Sequence, residues 1–218
     1  MKKIVLLLLL LGSFTSIAQN NPQDELGAWY MYGGTHKLSS KWYVKSLAHF
    51  RFFNIGDDLQ QVLLRAGVNY KTSNSTSILL GYAYLNTDTT FGLDGGEFNE
   101  HRIYEDFYFG HKVSKLTFAH RFRLEHRFFE TNTQHWIRYQ LALSYPLSKN
   151  WSTYLYDEVF LNFEGDTYAQ NWLGAGFKYK LSKALKLQLG YQQISVNGGA
   201  KFNRIQLGIA LTTNHQKK

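Results

Sequence analysis

Leu116-Thr-Phe-Ala-His-Arg-Phe-Arg-Leu-Glu-His-Arg-Phe-Phe129 alternates two kinds of side chain almost without a break. One phase carries Leu116, Phe118, Phe122, Leu124 and Phe128, with His120 and His126 among them. The other carries Thr117, Ala119, Arg121, Arg123, Glu125 and Arg127. A period of two marks an extended strand, whose successive side chains point to opposite faces. Strands of soluble sheets average about five or six residues. A strand this long, greasy on one side and charged on the other, suits the wall of a closed barrel in a membrane.

The alternation recurs from about Leu26 to Leu211, and no helical period interrupts it. The runs fall at 26–35, 41–53, 60–71, 77–87, 101–113, 116–129, 135–146, 151–163, 171–181, 185–195 and 202–212. Eleven runs conflict with the even strand number of bacterial single-chain barrels. The expectation is therefore an all-β, antiparallel transmembrane β-barrel of the outer-membrane type with twelve strands, or ten. A strand hidden at 87–100 or before Leu26, or one run folded into the lumen, would restore parity. In a soluble sandwich or barrel the same alternation would instead turn its apolar face inward.

Connections differ in kind. Those at 37–41, 72–76, 113–115, 147–150 and 181–184 are short and polar and are assigned to the periplasmic side. Those at 54–59, 87–100, 130–134, 164–170 and 196–201 are on average longer and richer in Asp and Gly, and are assigned to the outside.

The chain begins Met1-Lys2-Lys3, then an apolar run from Ile4 to Leu11, then small and polar residues ending Ser16-Ile17-Ala18-Gln19. That order is a secretory signal peptide, which gives residues 1–19 as leader and 20–218 as a single barrel domain. The apolar run is short of the roughly 20 residues a spanning helix needs. Without Lys2 and Lys3 the formal charge falls from +8 to +6. No basic block and an exported chain argue against a nucleic-acid partner. Zero Cys excludes a disulfide scaffold and thiolate metal sites, and no cofactor is expected. Aromatics at 17%, only two prolines and a mean hydropathy of −0.33 fit a barrel with aromatic girdles and a half-polar wall.

With apolar faces toward lipid, the polar phase defines the lumen. Its expected lining includes Lys45, Arg51, Arg65, Arg102, Asp106, Arg121, Arg123, Glu125, Arg127, Arg138, Gln140 and Arg204. Asp157 and Glu158 are adjacent, so only one can point inward. Buried arginines need water or carboxylate partners. Two readings follow. One is a narrow water-filled channel whose surplus positive charge favours anionic small solutes. The other is a non-conducting structural or surface-binding barrel with a salt-bridged, occluded lumen. A barrel phospholipase or esterase would need a Ser and a His at one rim. Ser144 has no His obviously opposite it, and no His-Glu-X-X-His or Gly-X-Ser-X-Gly run exists, so an enzyme is not expected. The expected partners are outer-membrane lipid and lipopolysaccharide, the barrel-assembly machinery during insertion, and anionic small solutes.

Several stretches carry a resemblance: Gly27-Ala-Trp-Tyr30, Glu100-His-Arg-Ile-Tyr-Glu-Asp106, Phe118-Ala-His-Arg-Phe-Arg-Leu-Glu-His-Arg-Phe128, Trp136-Ile-Arg-Tyr-Gln-Leu141, Tyr154-Leu-Tyr-Asp-Glu-Val-Phe160, Gln170-Asn-Trp-Leu-Gly-Ala-Gly176 and Leu189-Gly-Tyr191. Together the chain resembles a family of outer-membrane β-barrels known mainly from Bacteroidetes and described only as a domain of unknown function. The resemblance implies place and shape and no reaction. The Arg-lined strands are also similar to porins for acidic oligosaccharides, which are narrow twelve-stranded barrels.

Overall fold

The alternating runs are strands in the computed structural model, which describes residues 21–92 and 95–216. They are β1 (Leu26–Lys37), β2 (Trp42–Phe52), β3 (Leu59–Lys71), β4 (Thr76–Asp88), β5 (Glu97–Val113), β6 (Leu116–Phe128), β7 (Thr133–Pro146), β8 (Trp151–Asn162), β9 (Tyr168–Lys180), β10 (Leu185–Val196) and β11 (Lys201–Asn214). Each hydrogen-bonds its sequence neighbours, and β11 returns to β1 to close the barrel. The proposed leader, residues 1–19, lies outside the described residues.

The strand count corrects the expectation of twelve or ten: among the described residues the wall has eleven strands. The expected extra strand at 87–100 is partly β5 itself, which begins at Glu97. Even parity is needed only if every pair is antiparallel. Here β1 and β11 run in the same direction and pair from Leu26↔Asn203 to Lys37↔Asn214. A parallel ladder satisfies backbone donors and acceptors as an antiparallel one does, at slightly lower stability per residue. Closure removes both sheet edges, as a bilayer requires.

The apolar phase faces out. Leu64, Leu80, Phe122, Leu155, Phe177, Leu189 and Ile209 are all exposed large hydrophobics on the outer wall. No water-facing protein would leave so continuous an apolar belt, so this wall is a lipid-facing one. Paired aromatics flank it: Trp42 with Tyr70 at 4.7 Å and Trp151 with Tyr179 at 4.9 Å near one end, Tyr30 with Phe52 at 5.6 Å toward the other. Such girdles suit the amphipathic interface. The protein is a transmembrane β-barrel of the outer-membrane type.

Four of the five short turns share one device. Ser39 Oγ accepts from the amides of Lys41 and Trp42, at 3.2 and 3.0 Å. Ser73 does the same for Ser75 and Thr76, Ser148 for Asn150 and Trp151, and Ser182 for Ala184 and Leu185, all between 3.0 and 3.3 Å. A serine hydroxyl standing in for a backbone acceptor is the physical reason this residue type favours turns. The tightest turn is two residues, Ser114 and Lys115, and needs a left-handed backbone at Ser114 (φ 55°).

The lumen is narrowed by tyrosines seated on glycines. The Tyr104 ring occupies the space a Cβ on Gly81 would take, the Tyr156 ring does so at Gly174, and the Tyr154 hydroxyl does so at Gly190. A missing side chain thus admits a tyrosine from the neighbouring strand, or in the case of Tyr154 from the next strand but one.

Candidate functional site: the charged lumen

Because the phase of each strand sets which side chains enter the barrel, the polar phase of β5 to β8 converges on the interior. Glu125 on β6 is 1% exposed and sits at the centre. It accepts from Arg127 Nη2 at 2.5 Å and Arg138 Nη1 at 2.7 Å, with Arg102 Nη1 at 3.4 Å and Arg123 Nη1 at 3.5 Å. Glu158 on β8 receives Arg121 Nη2 at 2.6 Å, Arg138 Nη2 at 2.7 Å and the Gln140 amide at 2.9 Å. Asp106 on β5 is gripped by Arg123 through Nε at 2.6 Å and Nη2 at 2.7 Å, and takes the Tyr108 hydroxyl at 2.6 Å. Glu100 binds Arg102 through both Nε and Nη2. Such paired, planar contacts are the geometry guanidinium offers carboxylates.

The opposite wall is different. Arg51 on β2 donates from Nη1 to Gln61 at 2.6 Å and lies 3.9 Å over the Trp29 ring. Arg65 on β3 has Tyr104 beneath it at 5.3 Å. Arg204 on β11 donates to the Asn203 carbonyl at 2.8 Å. Among the described residues none of these three meets a carboxylate.

Two hollows lie within the barrel. A cavity of about 580 Å³ is lined by eight arginines, among them Arg51, Arg65, Arg121 and Arg204, and by three carboxylates, Glu100, Glu125 and Glu158. A second hollow of about 250 Å³ lies toward the short turns and contains Lys45, Asn69 and Ser75. The two share no lining residue. Asp106 and Tyr108 link them: Asp106 meets Arg123 of the larger cavity and the Tyr108 hydroxyl, and the Lys45 ammonium of the smaller one lies 3.7 Å over the Tyr108 ring.

Of the residues expected in the lumen, Arg51, Arg65, Arg102, Arg121, Arg123, Glu125, Arg127, Arg138, Gln140 and Arg204 all border the larger cavity. Lys45 borders the smaller one, and Asp106 is buried at the link between the two. Of the adjacent acids, Glu158 points inward, while Asp157 faces out and takes both its hydrogen bonds from Asn171 Nδ2 at 3.1 Å. Sequence phase alone also places Glu100, two residues before Arg102, yet it was not among the expected lining. Trp29, Phe160 and Trp172 were missed as well, because an apolar side chain reads as lipid-facing; they form an aromatic corner with Trp29 5.1 Å from Trp172 and Phe160 4.5 Å from it. His120, His126 and His135 face outward. His126 Nδ1 lies 2.8 Å from His135 Nδ1, and His120 Nδ1 lies 2.8 Å from the Tyr139 hydroxyl.

Three comparisons bear on this barrel. The family described as "Protein of unknown function (DUF2490)" matches residues 26–206, nearly all of the described wall. The chain is similar to the NanC porin structure at a TM-score of 0.52 with 9% identity, over 82% of this chain and 93% of that one. It is also similar, at a TM-score of 0.46 and 6% identity, to LpxR from Salmonella typhimurium, over 78% of this chain and 83% of that one. The NanC likeness is one of fold. No curated protein sequence matches the chain.

Proposed function

The chain belongs to the DUF2490 family, and from that premise we propose that it is a narrow outer-membrane channel that favours small anionic solutes. The observation that carries the reading is the charge balance of the lumen. Eight arginines border the larger cavity against three carboxylates. Asp106 is the fourth acid of the network and is committed to Arg123 and Tyr108. The surplus is positive, in a space walled by lipid-facing sheet. Low-dielectric walls focus such a field and raise the local concentration of anions.

The division between the two cavities is the constriction of this channel. Ion pairs and tyrosines fill it, so passage requires side chains such as Lys45 and Tyr108 to swing aside. The same division favours a second reading: a barrel whose lumen is permanently plugged and which acts only through its surface. Either role is one of transport or structure rather than catalysis. Lipid and lipopolysaccharide would meet the belt, and the assembly machinery would insert it.

Planar-bilayer recording under a potassium chloride gradient decides between the two. A reversal potential on the chloride side, shifted toward zero by replacing Arg121 and Arg127 with glutamine, supports the channel. A folded barrel that passes no current, or one that prefers potassium, rules the anion channel out.

A further inference from the structure

Among the described residues, six buried nitrogens on the lumen wall have no hydrogen-bond partner: His49 Nδ1, Arg121 Nε and a group of four, Trp29 Nε1, Arg51 Nε, Gln192 Nε2 and Arg204 Nε. All four residues border the 580 Å³ cavity. Trp29, Gln192 and Arg204 are 3%, 0% and 1% exposed. A buried donor left unmatched costs about 1–3 kcal/mol. Each of the group of four carries a hydrogen, and none of the four is an acceptor.

They are also neighbours. Gln192 on β10 pairs in register with Arg204 on β11. Arg204 pairs with Gly27, and Trp29 stands two residues further along β1. Trp29 pairs with Arg51 on β2. The four donors thus lie on four consecutive strands, β10, β11, β1 and β2. That wall supplies none of the lumen's carboxylates, which all come from β5, β6 and β8. Its orientation is fixed from behind. Gln192 Oε1 is taken by the Gln206 amide at 2.7 Å and by the Tyr156 hydroxyl, which turns its own amide nitrogen away from them. Gly27 leaves room for Arg204: a Cβ there would fall 2.7 Å from its Nε.

We propose that this wall is a binding site for the oxyanion group, carboxylate or phosphate, of a small organic molecule. The donors supply hydrogen bonds to an oxyanion, and two guanidiniums supply the charge. A cavity of 580 Å³ exceeds what a bare ion needs and lies within the range of small-molecule pockets. Trp172 and Phe160 offer the body of the molecule an apolar surface beside Trp29. The site deepens the anion-channel reading and rests on it for the way in.

Calorimetric titration of the refolded full barrel in detergent tests the site with four probes: gluconate, glucose 6-phosphate, inorganic phosphate and glucose. Gluconate or glucose 6-phosphate should bind saturably, the better of them revealing whether carboxylate or phosphate is preferred, and glucose should not. Arg204→Gln and Arg51→Gln should each weaken that binding about tenfold or more, while Lys149→Gln in an exposed turn should not. If either arginine variant fails to refold, Trp29→Phe removes one donor and keeps the ring volume, and should weaken binding as well. Glucose binding as well as gluconate, inorganic phosphate binding as well as glucose 6-phosphate, or full affinity in the foldable variants would each overturn the site. Binding without current would remove the channel and leave the site; anion-selective current without saturable heat would do the reverse.

Discussion

Replacing Glu125 with glutamine keeps its shape and removes one negative charge from the middle of the barrel. Four guanidiniums lie within 3.5 Å of its oxygens: those of Arg102, Arg123, Arg127 and Arg138. Each close pair at about 4 Å between charge centres is worth about 4 kcal/mol at an effective dielectric near 20. Desolvating the carboxylate offsets several kcal/mol of that sum, and Arg102, Arg123 and Arg138 each keep a second acid, Glu100, Asp106 and Glu158. What remains is the ordinary cost of unpairing a buried ion, about 3–5 kcal/mol. Arg127 bears most of it, because its other carboxylate contact, Glu100, is 3.7 Å away. Equilibrium unfolding by denaturant in lipid vesicles, followed by the gel shift between folded and unfolded barrel, measures the loss. Adding Arg127→Gln to the glutamine variant should restore part of it. A loss under about 1 kcal/mol would refute the argument, for it would mean the network sits in water rather than in a packed interior.

Other expectations follow from the wall. Leu207→Arg places a charge midway along β11 on the lipid side, between Leu189 and Tyr30. It should cost about 2–4 kcal/mol, whereas Val113→Arg at the end of β5 should cost about 0–1; equal costs would mean that the belt is not where the apolar phase puts it. Gly27→Ala forces a Cβ to within 2.6 Å of the Phe52 carbonyl oxygen and of Arg204 Cδ. A loss of about 1–3 kcal/mol is expected, together with weaker gluconate binding in the same titration. Ser148→Ala strips two amides of their acceptor in a short turn and should lower stability by about 0.5–1.5 kcal/mol in the same unfolding assay.

The alternation at 116–129 determined both the fold and the inward set, because a strand has only two faces and Arg121, Arg123, Glu125 and Arg127 cannot share one with Phe122 and Phe128. Strand ends were legible to within a few residues wherever Ser-containing turns or Gly-rich loops punctuate the chain. Three things were not legible. Strand parity depends on whether β1 and β11 meet in the same or in opposite directions, which no local pattern encodes. The aromatic corner was hidden because Trp29 and Trp172 have side chains that fit lipid or lumen equally; only their phase relative to Arg51, Arg138 and Arg204 separates the two. The pairing of the acids was also out of reach, since Glu125 collects arginines from three strands whose register the sequence does not state.

The barrel is zipped shut where its first and last strands run side by side, and that line of closure passes through the donor-bearing wall. Trp29 lies on one lip of it and Arg204 on the other. A guest that grips both would act as a clasp. Its binding energy would then be added to the one parallel stretch of the ladder among the described strands, raising the heat needed to open the wall in proportion to the logarithm of guest concentration. By reciprocity, anything that loosened those two lips would eject the guest.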